Sequence, residues 1–384
     1  MTRDTDTSTR MRTPTMKKSV AIIGTRGYPS YYGGFETAVR KLAPFLVDDG
    51  WDVTVYGRRG STRDDDVERD HRVRSVVTRG IESKSLSTLS YGLTATIHAI
   101  RQKPDIALVM NVANGYWLPL LRLAGIPVVV NVDGIEWDRA KWGRLAKFMF
   151  HTGAKLTARF GSRMIYDSTV IAARWKREFG LEGDFIPYGG DVPPELPVEE
   201  GLAHREYVLV VARFVPENTV AEFFEAARDI ARTRDVVIVG SSGYGGPLDD
   251  AVAALAAAHP RVRWLGHVSD DQRLLSLWQH AGAYFHGHSV GGTNPALVQA
   301  MACGAPIVAR DTLYNREVLS DDGAVFTTPD PTSIAEAVER LVSDPERQQA
   351  VSAVALRRAV SDYSWATVCG SYAASLLRHL KKGR

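Results

Sequence analysis

Cysteine is scarce in this chain: its 384 residues contain only Cys303 and Cys369, in unlike sequence contexts. Neither a disulfide framework nor a zinc-type spacing of cysteine and histidine is present, which fits a reducing, cytoplasmic environment. The acidic run at 64–66 lies in a polar loop rather than after an apolar strand, and we interpret it as solvated surface. The sequence therefore predicts neither a bound metal nor a cofactor.

Long apolar runs are also missing. The most hydrophobic region, residues 106–132, is interrupted by asparagine, glycine and proline, so it is unsuited to crossing a bilayer. Residues 1–18 are rich in Thr, Arg and Asp, and we expect a disordered tail there rather than a signal peptide. Any contact with a membrane should then be peripheral, on the inner face of the cell membrane.

The chain lacks a strong charge of either sign, since 47 Lys and Arg oppose 44 Asp and Glu. A net charge of +3 gives no support for nucleic-acid binding. The cations are nevertheless concentrated, because ten Lys and Arg lie between Arg139 and Arg177 with one acid, Asp167. That region favours an anionic partner. A basic amphipathic helix over 139–160 can lie on an anionic membrane, or cover a sheet with its apolar side; the sequence leaves both open.

Short apolar runs alternate with helix-length segments along the chain. This alternation predicts an α/β fold whose parallel sheets are covered by helices on both faces. A stretch rich in proline, glycine and acids follows residue 188, and the alternation then restarts. We therefore predict two Rossmann-like domains over 19–188 and 207–363, a linker over 189–206, and a C-terminal helical segment over 364–384.

Ligands of such sheets bind beyond the carboxyl ends of the strands, so the loops after the strands are the candidate site. The first loop, GTRGYPSYYGGFET (24–37), leads into a helix. Gly33 and Gly34 stand near the helix N-terminus, where free N–H groups favour anions, and Arg26 adds a positive charge. The alternative is a plain tight turn, because the glycine spacing is not that of a dinucleotide fingerprint.

The second loop, VNVDGIEWDRAKW (130–142), contains two carboxylates and two tryptophans. Asp133 and Glu136 could orient sugar hydroxyls or accept a proton, while Trp137 and Trp142 offer flat faces for stacking on sugar. The alternative is structural, with Asp133 as a helix cap and the tryptophans in the core.

The third and fourth loops belong to the second half of the chain. In VARFVPEN (211–218), the guanidinium of Arg213 suits phosphate oxygens, although a surface salt bridge is the alternative. In HGHSVGGTNPALVQAMACGAP (286–306), a helix begins after the segment Gly291–Asn294, where Thr293 or Asn294 would cap it. A diphosphate would suit that helix end. His288 could contact the sugar or the leaving group, or could simply be packed.

Together these four loops resemble those of glycosyltransferase family 4, in particular its bacterial rhamnosyltransferase-like branch, over roughly residues 19–380. The resemblance implies a GT-B fold, with two Rossmann-like domains facing a cleft and a C-terminal helix crossing back to the N-terminal domain. It also implies a nucleoside-diphosphate sugar donor, no metal requirement and retention at the anomeric carbon. Members build cell-surface polysaccharides or glycans on lipid carriers.

The resemblance also suggests roles for individual positions. Gly33 and Gly34 would approach the donor phosphates, and Arg213 matches the family's diphosphate-binding arginine. Asn218 stands where the wider family has a lysine. The family's two glutamates, eight residues apart, are replaced here by Gly291 and Gln299; the second of those glutamates usually holds the nucleotide ribose.

The remaining site residues follow from the same reasoning. We expect the acceptor to approach the N-terminal domain near Tyr28, Tyr31 and Asp133, and Glu317 to contact the sugar or the diphosphate. L-Rhamnose from dTDP-L-rhamnose is the predicted donor, and a glycan or lipid-linked molecule the predicted acceptor. UDP-glucose or UDP-galactose transfer, a nucleotide-sugar epimerase and a silent nucleotide-sugar-binding protein are the alternatives; a nucleic-acid partner is not expected.

Overall fold

A computed structural model describes residues 17–31, 33–63, 65–82, 87–139, 142–243 and 245–380. The expected tail over 1–18 falls almost entirely outside these residues, as do Asp64 of the acidic run and the last four residues of the C-terminal segment.

The N-terminal half contains a parallel sheet of seven strands in the order β3-β2-β1-β4-β5-β6-β7. Its central strands are rich in Val and Ile and are buried, as expected for a sheet with helices on both faces. The strands are β1 (Ser19–Ile23), β2 (Asp52–Arg58), β3 (Arg74–Thr78), β4 (Ile106–Met110), β5 (Val128–Asn131), β6 (Arg163–Tyr166) and β7 (Gly183–Phe185).

Helices connect these strands and cover both faces of the sheet, where they form two separate core clusters. They are α1 (Gly34–Asp48), α2 (Ser87–Gln102), α3 (Leu118–Leu123), α4 (Arg144–Phe160) and α5 (Thr169–Phe179), with 3₁₀ turns at Val112–Trp117 and Glu136–Asp138. The hydroxyl of Ser168 caps α5 by accepting a hydrogen bond from the backbone N–H of Val170, and Gly180 ends that helix in a left-handed conformation.

The C-terminal half repeats the design with six parallel strands in the order β10-β9-β8-β11-β12-β13. The strands are β8 (Val208–Val211), β9 (Val236–Val239), β10 (Val262–Gly266), β11 (Ala283–His286), β12 (Ile307–Arg310) and β13 (Val325–Thr327). The helices are α6 (Val220–Ile230), α7 (Pro247–Ala258), α8 (Asp271–His280), α9 (Pro295–Ala302), α10 (Leu313–Leu319), α11 (Pro331–Val342) and α12 (Pro345–Asp362), with a 3₁₀ turn at Pro216–Asn218.

The last helix, α13 (Trp365–His379), returns to the N-terminal domain. Val368, Tyr372 and Leu376 join the core that lies between α1 and the first sheet. The Tyr372 hydroxyl accepts a hydrogen bond of 2.6 Å from the side-chain amide of Asn131 at the end of β5. The predicted α/β class, with two Rossmann-like domains of the GT-B kind, is confirmed.

In both sheets the strand order reverses at the first strand of the domain, β1 or β8. Such a reversal opens a crevice at the carboxyl ends of the strands. The two crevices face each other, and the loops that the sequence singled out meet between them. Among the described residues, no helix is long and apolar enough to cross a membrane.

Candidate functional site

A cavity of about 280 Å³ lies between the two domains. The N-terminal domain contributes the start of α1 and the loops after β5 and β6, while the C-terminal domain contributes the loops after β8 and β11 and the start of α9. Residues from four predicted loops thus share one cleft. The polar lining includes Asp133, Arg139, Asp167, Arg213, His288, Thr293 and Asn294, beside Gly34, Gly291 and Gly292.

Asn218 fixes the positions of Arg213 and His288 by hydrogen bonds. Its side-chain amide donates to the backbone carbonyl of Arg213 at 2.8 Å, and its Oδ1 lies 2.6 Å from Nδ1 of His288. Because the amide nitrogen is the donor, Oδ1 must accept, so Nδ1 of His288 carries the hydrogen. Nε2 is then left as a hydrogen-bond acceptor. A lysine at 218 could not accept the hydrogen of Nδ1, because its ammonium group is only a donor.

The imidazole of His288 is neutral at physiological pH. Burial and the nearby Arg139 guanidinium lower its pKa to about 4. Nε2 lies 3.5 Å from the point where a Cβ at Gly291 would stand. The ring therefore offers the cleft a neutral acceptor, suited to a hydroxyl group.

Helix α9 starts as the sequence predicts, with the Asn294 side chain accepting from the backbone N–H of Ala296 and Pro295 in the first turn. Thr293, which the sequence predicts to bind a diphosphate, contacts the N-terminal domain in the structure. Its hydroxyl and its backbone N–H donate to the carbonyl of Asp167, at 2.5 and 3.2 Å. The backbone carbonyl of Asp167 thus occupies the position expected for an anion. The two domains touch directly at this helix end.

Gly33 and Gly34 begin α1 on the opposite side of the cleft. A Cβ at Gly34 would lie 3.4 Å from Pro295 and 3.5 Å from Tyr188, and one at Gly33 would lie 3.5 Å from Glu36. The glycine loop and the start of α9 thus approach each other closely.

Glu136 does not line the cleft, contrary to the sequence-based expectation. It is buried, its carboxylate binds Nε of Arg139 at 2.7 Å, and the indole of Trp142 donates to it at 2.7 Å. Glu136 therefore orients Arg139 from behind. Trp137 is also buried and packs edge-on against Trp175, so its face is not available to a sugar.

Asp133 remains in the cavity wall, directly after β5. Its backbone N–H donates to the side chain of Asn131 at 2.9 Å, and it has a positive φ of 61°, a conformation that Asp tolerates better than most residues. Asp133 is therefore held by its own loop and is not a helix cap.

Glu317 is a further correction. Its carboxylate accepts hydrogen bonds of 2.6 Å from the hydroxyl of Ser168 and from the backbone N–H of Thr169. Glu317 belongs to α10 of the C-terminal domain, yet it binds the N-terminus of α5 in the other domain. A carboxylate at that helix end is electrostatically favoured, so Glu317 joins the domains rather than contacting a sugar.

Gln299 also differs from the expected ribose contact. Its amide donates to the carbonyl of Asp191 at 2.7 Å, and its Oε1 accepts from the backbone N–H of Asp191 at 3.3 Å. Asp191 lies between the domains and its carboxylate pairs with Lys41 of α1 at 2.5 Å. A glutamate at 299 could not donate to that carbonyl. The amide therefore suits this contact.

A second cavity of about 660 Å³ adjoins the first and includes Gln299, Tyr28 and Tyr31 in its wall. Tyr28 is buried, and its hydroxyl accepts from the backbone N–H of Asp70 at 3.1 Å. Tyr31 is exposed at the mouth, where the guanidinium of Arg40 lies 3.8 Å from its ring centre. Arg26 is outside the lining of both cavities, and its backbone N–H donates to Glu36 at 2.9 Å.

Sequence reasoning missed Arg139 and Asp167 as site residues. Both follow strands of the first sheet, after β5 and β6, so the rule that selected Asp133 could have found them. Burial, together with the Asp133 carboxylate, raises the pKa of Asp167 well above its usual range. No group of three or more His, Cys, Asp or Glu that could hold a metal ion occurs in the part of the chain that the structure describes.

Comparison with known proteins agrees with this geometry. Residues 33–189 match the "Glycosyl transferase 4-like domain" family and residues 195–358 the "Glycosyl transferases group 1" family. The chain is 28% identical over 197 residues to the O-antigen chain mannosyltransferase B of Escherichia coli, covering 49% of this chain and 50% of that protein. It is 31% identical over 209 residues to a phosphatidyl-myo-inositol mannosyltransferase of Mycolicibacterium smegmatis, covering 52% and 53%.

These matches span about half the length of the two relatives. Solved structures cover far more of the chain. The sucrose-phosphate synthase of Thermosynechococcus elongatus superposes with a TM-score of 0.78 at 18% identity, over 94% of this chain and 98% of that one. Anabaena HepE, solved with UDP, gives 0.73 at 17% identity, over 94% and 100%. At this identity the likeness concerns the fold. Because the two family matches occupy consecutive halves of that fold, the chain belongs to the glycosyltransferases of the GT-B class.

Proposed function

We propose that this protein transfers a sugar from a nucleoside diphosphate to an acceptor bound in the cleft. One observation carries the proposal: the cavity brings Arg213, His288 and the start of α9 from one domain to face Gly34 and Asp133 from the other. The first set suits a sugar diphosphate, because it combines a guanidinium, a helix N-terminus and a neutral hydrogen-bond acceptor.

In this proposal the diphosphate lies between Arg213 and the start of α9, and the adjoining cavity takes the nucleoside. Arg213 stabilises the negative charge that develops on the leaving phosphate. Loss of one such preorganised contact costs about 3 kcal/mol of transition-state stabilisation. Nε2 of His288 accepts a hydrogen bond from a sugar hydroxyl. The acceptor hydroxyl attacks from the same face, giving retention, and a leaving phosphate oxygen takes its proton.

Domain closure is part of the proposed cycle. The contact between Thr293 and the Asp167 carbonyl occupies N–H and O–H donors at the start of α9. Separation of the domains would release these donors for the diphosphate. Hydrogen bonds to the diphosphate would then replace the contact that these donors make with the carbonyl.

The donor sugar and the acceptor are finer proposals. Resemblance to the rhamnosyltransferase-like branch supports dTDP-L-rhamnose. The relatives named above are mannosyltransferases, and a further HepE structure was solved with UDP-glucose, which supports GDP-mannose and UDP-hexoses as competing donors. The acceptor that we propose is a glycan or lipid-linked molecule of cell-surface polysaccharide synthesis.

Donor screening tests the central proposal. The protein would be incubated with dTDP-L-rhamnose, GDP-mannose, UDP-glucose and UDP-galactose, with and without membrane lipid extract, and release of the nucleoside diphosphate measured. We expect one donor to give release that depends on the extract. Binding of nucleotides without any turnover would favour the silent binding protein, and conversion of the donor sugar without acceptor would favour the epimerase.

We also propose that the transfer needs no metal, because Arg213 and Arg139 supply positive charge in the cleft. Guanidinium groups can neutralise phosphate charge directly. Turnover of the donor should therefore persist in excess EDTA. A loss that added Mg²⁺ or Mn²⁺ restores would contradict this part of the proposal.

A peripheral membrane contact through α4 completes the proposed function. Leu145 and Phe148 of this helix are 74% and 67% exposed, whereas Ala154 and Thr157 face the interior. Arg144, Lys155 and Arg159 of the same helix are also exposed, and the helix sequence contains no acid. Exposed apolar side chains flanked by cations suit an anionic lipid surface.

Vesicle flotation tests this surface. We expect the protein to float with vesicles containing phosphatidylglycerol and to remain unbound with phosphatidylcholine alone. The double change of Leu145 and Phe148 to Ser should abolish flotation, while the control Leu313→Ser, at an exposed leucine of the other domain, should not. Equal recovery with neutral and anionic vesicles would argue against the proposal.

A further inference from the structure

Asp167 is a polar residue of the cleft to which the mechanism above gives no role for its side chain. It directly follows β6, next to the loop after β5 that holds Asp133, and its carboxyl group lies in the cavity wall with Arg139 and Arg213. It is also the one acid in the basic region between Arg139 and Arg177. A carboxyl group in this position has to be explained, because the cavity otherwise suits an anion.

The surroundings of the carboxyl group are tightly fixed. A Cβ at Gly292 would lie 2.0 Å from Oδ1 of Asp167, so a larger residue at 292 would displace this carboxyl group. The backbone carbonyl of Asp167 accepts from Thr293. Despite this close packing, Oδ1 is buried without a hydrogen-bond partner among the described residues. A buried, unsatisfied oxygen is costly, and in a binding cleft it indicates a ligand that completes the bond.

Charged groups around the carboxyl determine its protonation. It is surrounded by the carboxylates of Asp133 and of Glu317 on α10, the guanidinium of Arg139, and the phenols of Tyr372 on α13 and Tyr314 on α10. Burial and the two carboxylates raise the pKa well above the usual range, and a hydrogen bond from the Asp167 backbone and the Arg139 guanidinium oppose them only in part. These surroundings favour the protonated carboxyl group, which can donate a hydrogen bond.

We propose that Asp167 is a donor-binding residue whose carboxyl hydroxyl donates a hydrogen bond to a phosphoryl oxygen of the nucleoside diphosphate, beside Gly292. The inference rests on the proposed function, because it places that ligand at the start of α9. An ionised carboxylate there would repel the diphosphate, whereas a neutral carboxyl adds a donor to the two guanidinium groups. Gly292 allows the phosphate and the carboxyl to share one side of the helix start.

Calorimetric titration with dTDP, UDP and GDP tests the inference, using wild-type protein, Asp167→Asn and Asp167→Ala. The asparagine amide is a neutral donor of similar shape, so we expect its dissociation constant to stay within about threefold of wild type at pH 6.5. Alanine removes the donor, and a lost hydrogen bond to a charged group corresponds to about ten- to hundredfold weaker binding. Asp229→Ala, at an exposed site of the C-terminal domain, is the control.

A second series at pH 6.5 to 9 separates a neutral donor from a merely structural residue. The ionisation of the nucleotide affects both proteins equally, so it cancels in the ratio of the wild-type to the Asp167→Asn dissociation constants. That ratio should rise with pH as the carboxyl ionises. Equal binding by the alanine variant and wild type would overturn the inference while leaving the proposed function standing. If folded wild-type protein binds none of the three nucleotides, the proposed function fails as well.

Discussion

Thr293 and Asp167 join the two domains across the cleft: the hydroxyl and the backbone N–H of Thr293 donate to the carbonyl of Asp167 at 2.5 and 3.2 Å. Nearby, Glu317 of the C-terminal domain caps α5 of the N-terminal domain. The two domains are thus joined by hydrogen bonds in and near the cavity that is proposed to take the donor.

The cap made by Glu317 should contribute to stability. Glu317→Ala leaves the Ser168 hydroxyl and the Thr169 N–H without their carboxylate, and a hydrogen bond to a charged group is worth about 1.5–3 kcal/mol. We expect the apparent melting temperature, measured by scanning calorimetry, to fall by several degrees. Glu336→Ala, an exposed glutamate of α11, should leave it unchanged; equal effects of the two changes would contradict the interdomain role.

Arg213 should be required for turnover. Arg213→Ala removes the guanidinium from the leaving phosphate, and we expect at least about a hundredfold loss of kcat, in line with removal of one preorganised donor. Arg213→Lys should recover part of the loss, since a point charge replaces a fork of donors. The control is Arg228→Ala on the outer face of α6. Near-normal turnover by Arg213→Ala would refute its role.

Asn218→Lys introduces the lysine that the wider family has at this position. Lysine has no acceptor for the Nδ1 hydrogen of His288 and adds a cation beside a buried imidazole. We expect kcat/KM to fall by about tenfold or more, and Asn218→Asp, which keeps an acceptor, to fall less. Steady-state kinetics with the donor found by screening would measure both. Full activity of the lysine variant would show that Asn218 does not position His288.

Gln299→Glu tests why the second family glutamate is replaced. The new carboxylate would face the carbonyl of Asp191 with no hydrogen to donate, so this contact should become repulsive. We expect a lower melting temperature at pH 7, largely recovered near pH 4 where the glutamate is protonated. Gln349→Glu on exposed α12 is the matched control. A stabilised variant would contradict the account of this contact.

The pKa of Asp167 predicts a pH dependence of stability. The folded protein keeps this proton to a higher pH than the unfolded chain does, so its contribution falls as pH rises above the unfolded value near 4. Asp167→Asn abolishes this dependence. The melting temperature of the variant relative to wild type should therefore increase between pH 5 and pH 9. A difference that is constant with pH would indicate an ordinary carboxylate.

Much of the architecture could be predicted because it depends on local pattern. The apolar runs are buried strands, and loops after strands meet at one edge, so position and side-chain chemistry together indicate Arg213, His288 and Asp133. Pro295 after Asn294 likewise marks the start of α9. These signals need only a few neighbouring residues to be recognised.

Contacts between distant segments could not be predicted in this way. In the structure Glu317, Gln299 and Thr293 bind Thr169, Asp191 and Asp167, which lie more than a hundred residues away along the chain. Those partners depend on how the two domains meet. The burial of Glu136 is likewise not predictable from the sequence pattern, although its partners are close along the chain. It follows from the packing of Arg139 and Trp142 around the carboxylate.

A crystal structure with the nucleoside diphosphate of the accepted donor would test the central claim most directly. We predict diphosphate density between the guanidinium of Arg213 and the start of α9, within hydrogen-bonding distance of both and close to His288. A nucleotide bound elsewhere, with Arg213 and the backbone of Gly292 and Thr293 making no contact to phosphate, would contradict the account.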